Sequence, residues 1–429
     1  QHMPPAHDNT YITRTGPGTP MGNLLRRFWA PVLLSSELPG PDCPPVQLRV
    51  MSEDLVAFRT TSGRPAVLAA NCPHRGASLF FGRNEEEGLR CVYHGWKFDA
   101  AGRCTEMPNE PGESAFKDQV RHTAYPCREQ AGIIWVYMGP PDLRAALPQL
   151  EWAALPPSHI VVSKRLQDCN YLQAMEGGID PSHLSFLHSK KAAAERSLEA
   201  GGIRFPPYMA RDRHPRFETL ETGSGVQIAA RRVADDEHFY WRISQFLLPW
   251  YTIFPADPGL PLGGHAWVPI DDTHCWTWSF SWQAERPLTP EEVTDMRSGM
   301  GIHAHVDPVT FRPLANRAND YRIDRAEQRR GSFSGIRGIG EQDMAAQESM
   351  GPIYDRTKEH LGVSDAAIIS MRRLLLRLAH ALEAGQEPAA AAQPKNYRVR
   401  SAAVVLPRTQ PWQQGAERAL ASPVFPQPG

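Results

Sequence analysis

Little in this sequence points to a membrane or to a charged polymer. No apolar run approaches the roughly 18 residues that span a bilayer, and the N-terminus lacks the charged and apolar regions of a secretory signal. A soluble, cytoplasmic protein is therefore expected. Net charge is lacking too: 46 Lys plus Arg stand against 47 Asp plus Glu, a formal balance of -1, so no global field recruits nucleic acid or anionic lipid. Cysteine is sparse. The 7 present, at positions 43, 72, 91, 104, 127, 169 and 275, are odd in number and scattered, which excludes a dense disulfide framework. Internal repeats and a Gly-rich dinucleotide fingerprint are absent as well, so flavin and nicotinamide are expected on a partner rather than on this chain.

What is present is ordinary globular material: 429 residues, 41% hydrophobic and 22% charged. Such usage excludes disordered, collagenous and coiled-coil classes, and the length exceeds one average domain. Residues 46–51, 55–58, 66–69, 89–98 and 133–137 read as short β runs cut by turns, hence a small β domain. Prolines at 140, 141, 148, 156 and 157 place a boundary near residue 150. Beyond it, residues 168–188 read as helical, and 226–233, 239–250, 265–269 and 275–282 read as aromatic-rich strands of an antiparallel sheet. Residues 353–361 and 365–382 read as helices. In the second of these, Ile368, Met371, Leu375 and Leu378 recur at helical spacing and Ser364 is the expected N-cap. The tail after Gly385 is expected to wrap as an extended or partly disordered segment. The expected divisions are 1–44, an N-terminal segment; 45–150, the β domain; 151–385, an α+β domain; and 386–429, a C-terminal extension.

Two short loops each offer one thiolate and one imidazole: Cys72-Pro73-His74-Arg75-Gly76 and Cys91-Val92-Tyr93-His94-Gly95-Trp96. A structural zinc ion takes such a ligand set in a tetrahedron. The same pattern also suits a Rieske centre, in which two cysteines hold one iron of a [2Fe-2S] cluster and two histidines hold the other. Spacing alone leaves both open. Gly76 and Gly95 suit tight turns whose amides approach the metal group.

The segment Cys72 to Trp96, with Cys-Pro-His-Arg-Gly-Ala and Cys-x-Tyr-His-Gly-Trp, resembles the Rieske domain of aromatic-ring-hydroxylating oxygenases. Residues 16–22, 32–39 and 53–59 extend the resemblance toward the phthalate dioxygenase-like subgroup of large (alpha) subunits. It implies an N-terminal Rieske [2Fe-2S] β domain on Cys72, His74, Cys91 and His94, and a helix-grip-type catalytic domain of antiparallel sheet and helices. It also implies a mononuclear Fe(II) with open positions for O2, a 2-His-1-carboxylate site. Glu176-Gly177-Gly178-Ile179-Asp180-Pro181-Ser182-His183-Leu184-Ser185-Phe186-Leu187-His188 resembles the acidic, Asp, His, His signature that supplies His183 and His188. Ligands five apart point about 140° away from each other on a regular helix, so the helix should end or bulge between them. By the same resemblance Asp180 links a cluster histidine of one subunit to an iron histidine of its neighbour, carrying electrons. Three residues before His183, it can also accept the imidazole N–H. By the resemblance the third ligand is expected at Asp343, with Glu341 and Glu348 as rivals and Glu176 as a weaker candidate, expected rather as a pocket or ligand-supporting residue near the iron.

The subgroup acts on carboxylated rings, and a guanidinium holds a carboxylate in two-pronged fashion. Arg242, inside an aromatic strand, is the first candidate, followed by Arg216 and Arg204. Phe246, Trp250, Tyr251, Trp276, Trp278 and Trp282 are candidates for an aromatic slot. The implied protein is a terminal oxygenase that dihydroxylates or hydroxylates an aromatic acid such as phthalate, isophthalate or a chloro- or phenoxy-substituted benzoate. A separate NAD(P)H reductase of flavin and ferredoxin type feeds it, in a homotrimer or stacked trimers. Rival readings are an aromatic O-demethylase or monooxygenase on the same metals, a Rieske electron carrier, and a zinc-stabilised binding module.

Overall fold

The computed structural model describes residues 6–189, 198–200 and 203–425. The chain divides into two units, one of Thr15–Arg144 and one of Gln1–Arg14 with Ala145–Gly429.

In the smaller unit, Val46–Val50, Glu53–Arg59, Pro65–Ala69 and Ala124–Tyr125 pair in that order. Arg83–Glu85, Gly88–Arg90, Lys97–Asp99 and Cys104–Glu106 make a four-stranded meander, and Ile133–Tyr137 lies between Trp29–Leu34 and Cys127–Gln130. Val56 and Phe58, two apart on one strand and so on one face, share a core with Leu68, Leu79, Leu89 and Phe98, and Cys72, Cys91 and Trp96 join it. The single strand expected over 89–98 is two: Leu89 pairs with Phe98, and residues 91–96 turn back between them, with Gly95 at φ 76°. Nor is 1–44 a separate segment. The helix Ala6–Thr13 groups with the larger unit, whereas Trp29–Leu34 is a strand of the smaller one.

The larger unit is built on one antiparallel sheet. Its strands are β1 (Ile160–Gln167), β2 (Arg216–Thr222), β3 (Gly225–Val233), β4 (His238–Leu247), β5 (Tyr251–Phe254), β6 (Leu262–Pro269), β7 (Cys275–Trp282) and β8 (Ala402–Pro407). The order across the sheet is β1-β7-β6-β5-β4-β3-β2. Strand β5 covers only residues 245–247 of the long β4. The free edge over 238–243 would expose unpaired backbone groups, and β8 fills it, Phe239 facing Leu406 and Ile243 facing Ala402. Part of the tail expected to wrap or be disordered, Ala402–Pro407, is thus an integral strand.

Three helices matter for the site: α1 (Tyr171–Gly178), α2 (Ile339–Ser349) and α3 (Ala366–Glu383). Helix α1, capped at its N-terminus by Asn170, packs on β5, β6 and α2, and α3 packs on β2 and β3. Helix α1 lies so close to β6 that a Cβ on Gly178 would stand 2.1 Å from the Trp267 ring, so glycine is required there. Residues 353–361 form no regular helix, only the short turn Arg356–Lys358. There the Asp355 side chain takes the Thr357 N–H at 3.1 Å, and Gln173 takes the Tyr354 N–H at 2.8 Å; both bonds compete with helical pairing. Helix α3 starts with Asp365, not Ser364, at its cap position.

Candidate metal centres and the cavity between sheet and helices

The two Cys/His loops of the smaller unit fold by the same rule. In each, the cysteine N–H donates to the carbonyl five residues on, Ala77 or Trp96, at 2.8 Å. The glycine four residues on donates back to the cysteine carbonyl at 2.9 Å, in Gly76 and in Gly95 alike. Both glycines have positive φ, 78° and 76°. The glycine carbonyls are held from outside, by Asn71 Nδ2 at 2.8 Å and by an Arg90 guanidinium N–H at 3.1 Å. The loops therefore present their four side chains in pairs. Cys72 and Cys91 are buried, and burial, with the neighbouring Cys91 adding to it, pushes the Cys72 thiol up to about 11. The His74 and His94 rings meet at 4.5 Å nearer the surface, with His74 stacked on Trp96 at 4.3 Å, whose Nε1–H is fixed by Asn109.

Two facing buried thiols and a His94 Nδ1 that is buried without a hydrogen-bond partner fit a cationic group that takes all four atoms. The pairing of thiol with thiol and imidazole with imidazole matches a two-iron cluster better than a single tetrahedral ion, whose donors would converge to about 3.3–3.8 Å. Among the described residues, the set whose ligand atoms converge on one point within 4.8 Å is a different one: His183, His188 and Asp343.

That set is assembled where α1 ends. After Gly178 the chain turns through Asp180 and Pro181 into the short 3-10 turn His183–Ser185, and His188 follows in the next turn. The break expected between ligands five apart is therefore present: two tight turns bring His183 Nε2 and His188 Nε2 to 3.1 Å. Asp343, on the first half of α2, completes the group, its Oδ1 standing 3.5 Å from His183 Nε2 and 3.2 Å from His188 Nε2. Donors bonded at about 2.1 Å and at right angles to a metal would stand about 3.0 Å apart, so the three fit one face of an octahedron. Each imidazole is backed on its far nitrogen. His183 Nδ1 lies 3.4 Å from Asp180 Oδ2, and His188 Nδ1 is 2.6 Å from Gln342 Oε1. Burial opposes charge on His183, yet Asp180 and Asp343 push it up to about 10. Burial likewise opposes charge on Asp343, and the two histidines overcome it and hold the carboxyl well below its ordinary range. A proton shared among such groups occupies the place a divalent cation would take.

The trio opens into a cavity of about 370 Å³, within the range of small-molecule sites. Leu184, Phe254, Leu262, Trp267 and Ile302 give it apolar walls. Alternation along β4 turns Arg242 and Ser244 into it, whereas Trp241 and Ile243 pack the other way, against Ala229, Leu406 and Trp412. Arg242 is buried, and one of its guanidinium N–H groups donates to the Pro255 carbonyl at 3.0 Å.

The other residues singled out from the sequence are placed differently. Arg216 is exposed on the outermost strand β2 and does not line the cavity. Arg204 lies on the strand Ile203–Phe205, its side chain outside the described residues. Glu176 does not reach the cavity either. Its carboxylate is turned to two buried arginines, at 3.1 Å from Arg356 and 2.7 Å from Arg372, because a buried carboxylate needs paired charge. Phe246, Trp250, Tyr251, Trp278 and Trp282 are buried sheet core, and none of the six expected slot aromatics lines the cavity. Glu341 is buried beside Arg165, and Glu348 accepts the Asp168 N–H at 2.9 Å.

Several residues carried no signal in the sequence. Arg165, on β1, is buried and lines the cavity, its guanidinium donating to the Ile302 carbonyl at 3.0 Å. His303 bridges Ser163 at 2.7 Å and Ser281 at 2.9 Å. Burial first, then the nearby Arg165, pushes His265 down to about 3, and burial and His265 do the same to His303. Both line the cavity as neutral imidazoles. Gln342 is the fourth, and only its neighbour Asp343 marked the place.

Residues 28–123 match the Rieske [2Fe-2S] domain, and residues 136–422 match the family described as LigXa C-terminal domain like. The chain is 39% identical to the 3-chlorobenzoate-3,4-dioxygenase oxygenase subunit of Comamonas testosteroni, over 96% of this chain and 98% of that one. It is 38% identical to the phthalate 4,5-dioxygenase oxygenase subunit of Pseudomonas putida, over 88% and 87%. Among solved structures, dicamba monooxygenase bound to dicamba superposes with a TM-score of 0.60 at 18% identity, over 85% of this chain and 100% of that one, a likeness of fold. Among the described residues, no helix is long and apolar enough to cross a membrane.

Proposed function

This chain belongs to the Rieske non-haem iron oxygenase large subunits with a LigXa-like C-terminal domain, and from that membership we propose that it hydroxylates a carboxylated aromatic ring. It is a Rieske-type oxygenase subunit with a [2Fe-2S] cluster, a mononuclear iron and O2 as co-substrate, fed by a separate electron-transfer partner. The observation that carries the substrate class is the pairing, in one cavity, of His183, His188 and Asp343 with the buried guanidinium of Arg242 among apolar walls.

On this reading Cys72, Cys91, His74 and His94 hold the cluster, and His183, His188 and Asp343 hold the iron. The chemistry these groups supply when bound is one-electron delivery from the cluster and activation of dioxygen at the iron. The chain's own residues do the rest. Arg242 takes the substrate carboxylate in a water-poor pocket, where a charged hydrogen bond is stronger than in water. Leu184, Phe254, Leu262 and Trp267 hold the ring against the apolar wall and exclude water. Asp180 keeps His183 oriented through Nδ1 and provides the electron route to a cluster histidine of a neighbouring subunit in a homotrimer or stacked trimers. Per ring, one dioxygen, two electrons from NAD(P)H through a reductase, and two protons give a cis-dihydrodiol. The protein acts in the cytoplasm.

The test is iron and acid-labile sulfide per chain on anaerobically purified protein, then turnover of phthalate, isophthalate and 3-chlorobenzoate with a reductase. About three irons and two sulfides are expected, with oxygen incorporated into a carboxylated ring. One zinc without sulfide overturns the metal assignment. Turnover confined to rings without a carboxylate overturns the substrate class, and release of formaldehyde from methoxylated substrates alone makes the enzyme a demethylase.

A further inference from the structure

The two histidines of the mononuclear site are backed by different chemistry. Behind His183 stands the carboxylate of Asp180. Behind His188 stands a neutral amide, Gln342, whose Oε1 is 2.6 Å from Nδ1. The amide's orientation is dictated by its other end. Gln342 Nε2 faces the Ile336 carbonyl at 2.8 Å, and a carbonyl only accepts, so Nε2 must be the donor there and Oε1 must be the acceptor toward His188. It follows that His188 carries a proton on Nδ1, so that Nε2 is the nitrogen turned toward Asp343 Oδ1 and His183 Nε2, where a metal would take its lone pair. His188 is nearly fully buried, so no water substitutes for Gln342, and Gln342 does not line the cavity.

The geometry points to Gln342 as a positioning residue that selects the metal-binding tautomer and ring angle of His188. The assignment rests on the reading of the trio as an iron site. A partner on the far nitrogen fixes a metal-bound imidazole and typically accounts for 10–100-fold in metal affinity. Here the partner is anchored to the loop ahead of α2, at Ile336, and sits next to the ligand Asp343 on the same helix. A displacement of that helix start therefore moves two of the three donors together. Because the amide is uncharged, Gln342 adds no negative charge to that of Asp343 and Asp180 beside the histidines.

The test uses the full chain with its cluster intact. Mononuclear iron is removed anaerobically and Fe(II) alone is titrated back against a chromogenic chelator, with the visible spectrum of the cluster as the check of folding. Gln342→Asn shortens the side chain by one methylene, about 1.5 Å, and withdraws the acceptor while keeping polarity; Fe(II) affinity should fall 10–100-fold. Gln342→Glu keeps an acceptor toward His188, loses the donor toward Ile336 and adds a negative charge behind the ring that favours a bound cation, so affinity should stay within a few-fold of the unsubstituted chain or exceed it. If Gln342 serves only to tether the Ile336 loop, Glu will weaken Fe(II) as much as Asn does, and the assignment is overturned. Equal affinity in all three chains overturns it as well. A His183→Ala chain that binds Fe(II) as the unsubstituted chain does would instead remove the iron reading itself, and the inference with it.

Discussion

Glu176 is the position at which two readings of this protein part most sharply, and its replacement tells them apart. A pocket residue would, on substitution, change substrate kinetics and leave stability alone. The structure instead makes Glu176 the centre of a buried charge cluster: Arg356 is fully buried, and Arg372 is nearly so and also meets Glu359. Glu176→Gln keeps the shape and one acceptor but leaves two cations facing one remaining carboxylate. Removing one partner of a buried ion pair costs about 3–5 kcal/mol, and a unit of this size loses roughly 1.5–2 °C of Tm per kcal/mol. Multiplying the two ranges, thermal unfolding followed by circular dichroism should shift down by roughly 5–10 °C. Burial alone would raise the Glu176 carboxyl, but Arg356 and Arg372 overcome it and lower its pKa. The stabilisation is therefore present above the ordinary carboxylate range and is lost as pH falls through the depressed folded value. The gap between Glu176→Gln and the unsubstituted chain should accordingly close in acid. A second check is Arg356→Met added to Glu176→Gln, which leaves Arg372 and Glu359 balanced; the double variant should be more stable than the sum of the singles by about 0.5–3 kcal/mol. A Tm shift under about 2 °C, or a gap that does not change with pH, refutes the charge-cluster account.

The remaining expectations concern the cavity, the electron route and the sheet. Arg242→Met should lower kcat/KM for a carboxylated ring by about 30-fold or more, since a buried charge left unpaired costs about 2–5 kcal/mol, while Arg216→Met, on the exposed outer strand, should leave it unchanged; equal effects would move the carboxylate site elsewhere. Asp180→Asn should keep iron and sulfide content and lower coupled turnover by about 10–100-fold or more, whereas full activity would remove the residue from the electron route. Deleting residues 386–429 takes away β8 and opens the edge of β4 beside Trp241 and Ile243, so the shortened chain should aggregate; a monodisperse, fully active product would show that the strand is dispensable.

The legibility of this protein in its sequence followed distance along the chain. Cys72, His74, Cys91 and His94 stand in two loops that repeat the same local hydrogen bonds, so donor type and short spacing were enough to single them out, whereas His183 and His188 were singled out by the resemblance of their segment to a family signature. Strands such as 133–137 and 275–282 were equally plain, because β-branched and aromatic runs between turns mean much the same in most surroundings. Asp343 needed the resemblance as well, since nothing local distinguishes it from Glu341 or Glu348.

The misplacements have a common cause. Glu176 sits two residues from the cavity-lining Gly178, yet its partners Arg356 and Arg372 are 180 and 196 residues away, and burial forces a carboxylate toward whatever charge the fold delivers. Arg242 and Arg216 are the same residue type on strands of one sheet; only the pairing order and the alternation of β4 decide which of them meets the cavity. Sequence by itself determined the chemistry on offer, because metal donors and strand formers act through their own covalent identity and nearest neighbours. The tertiary structure decided which polar group answers which: Gln342 behind His188, Arg165 in the cavity wall, the C-terminal strand on β4. Such pairings form only where the packed core brings distant segments together and leaves each buried polar group no alternative in water.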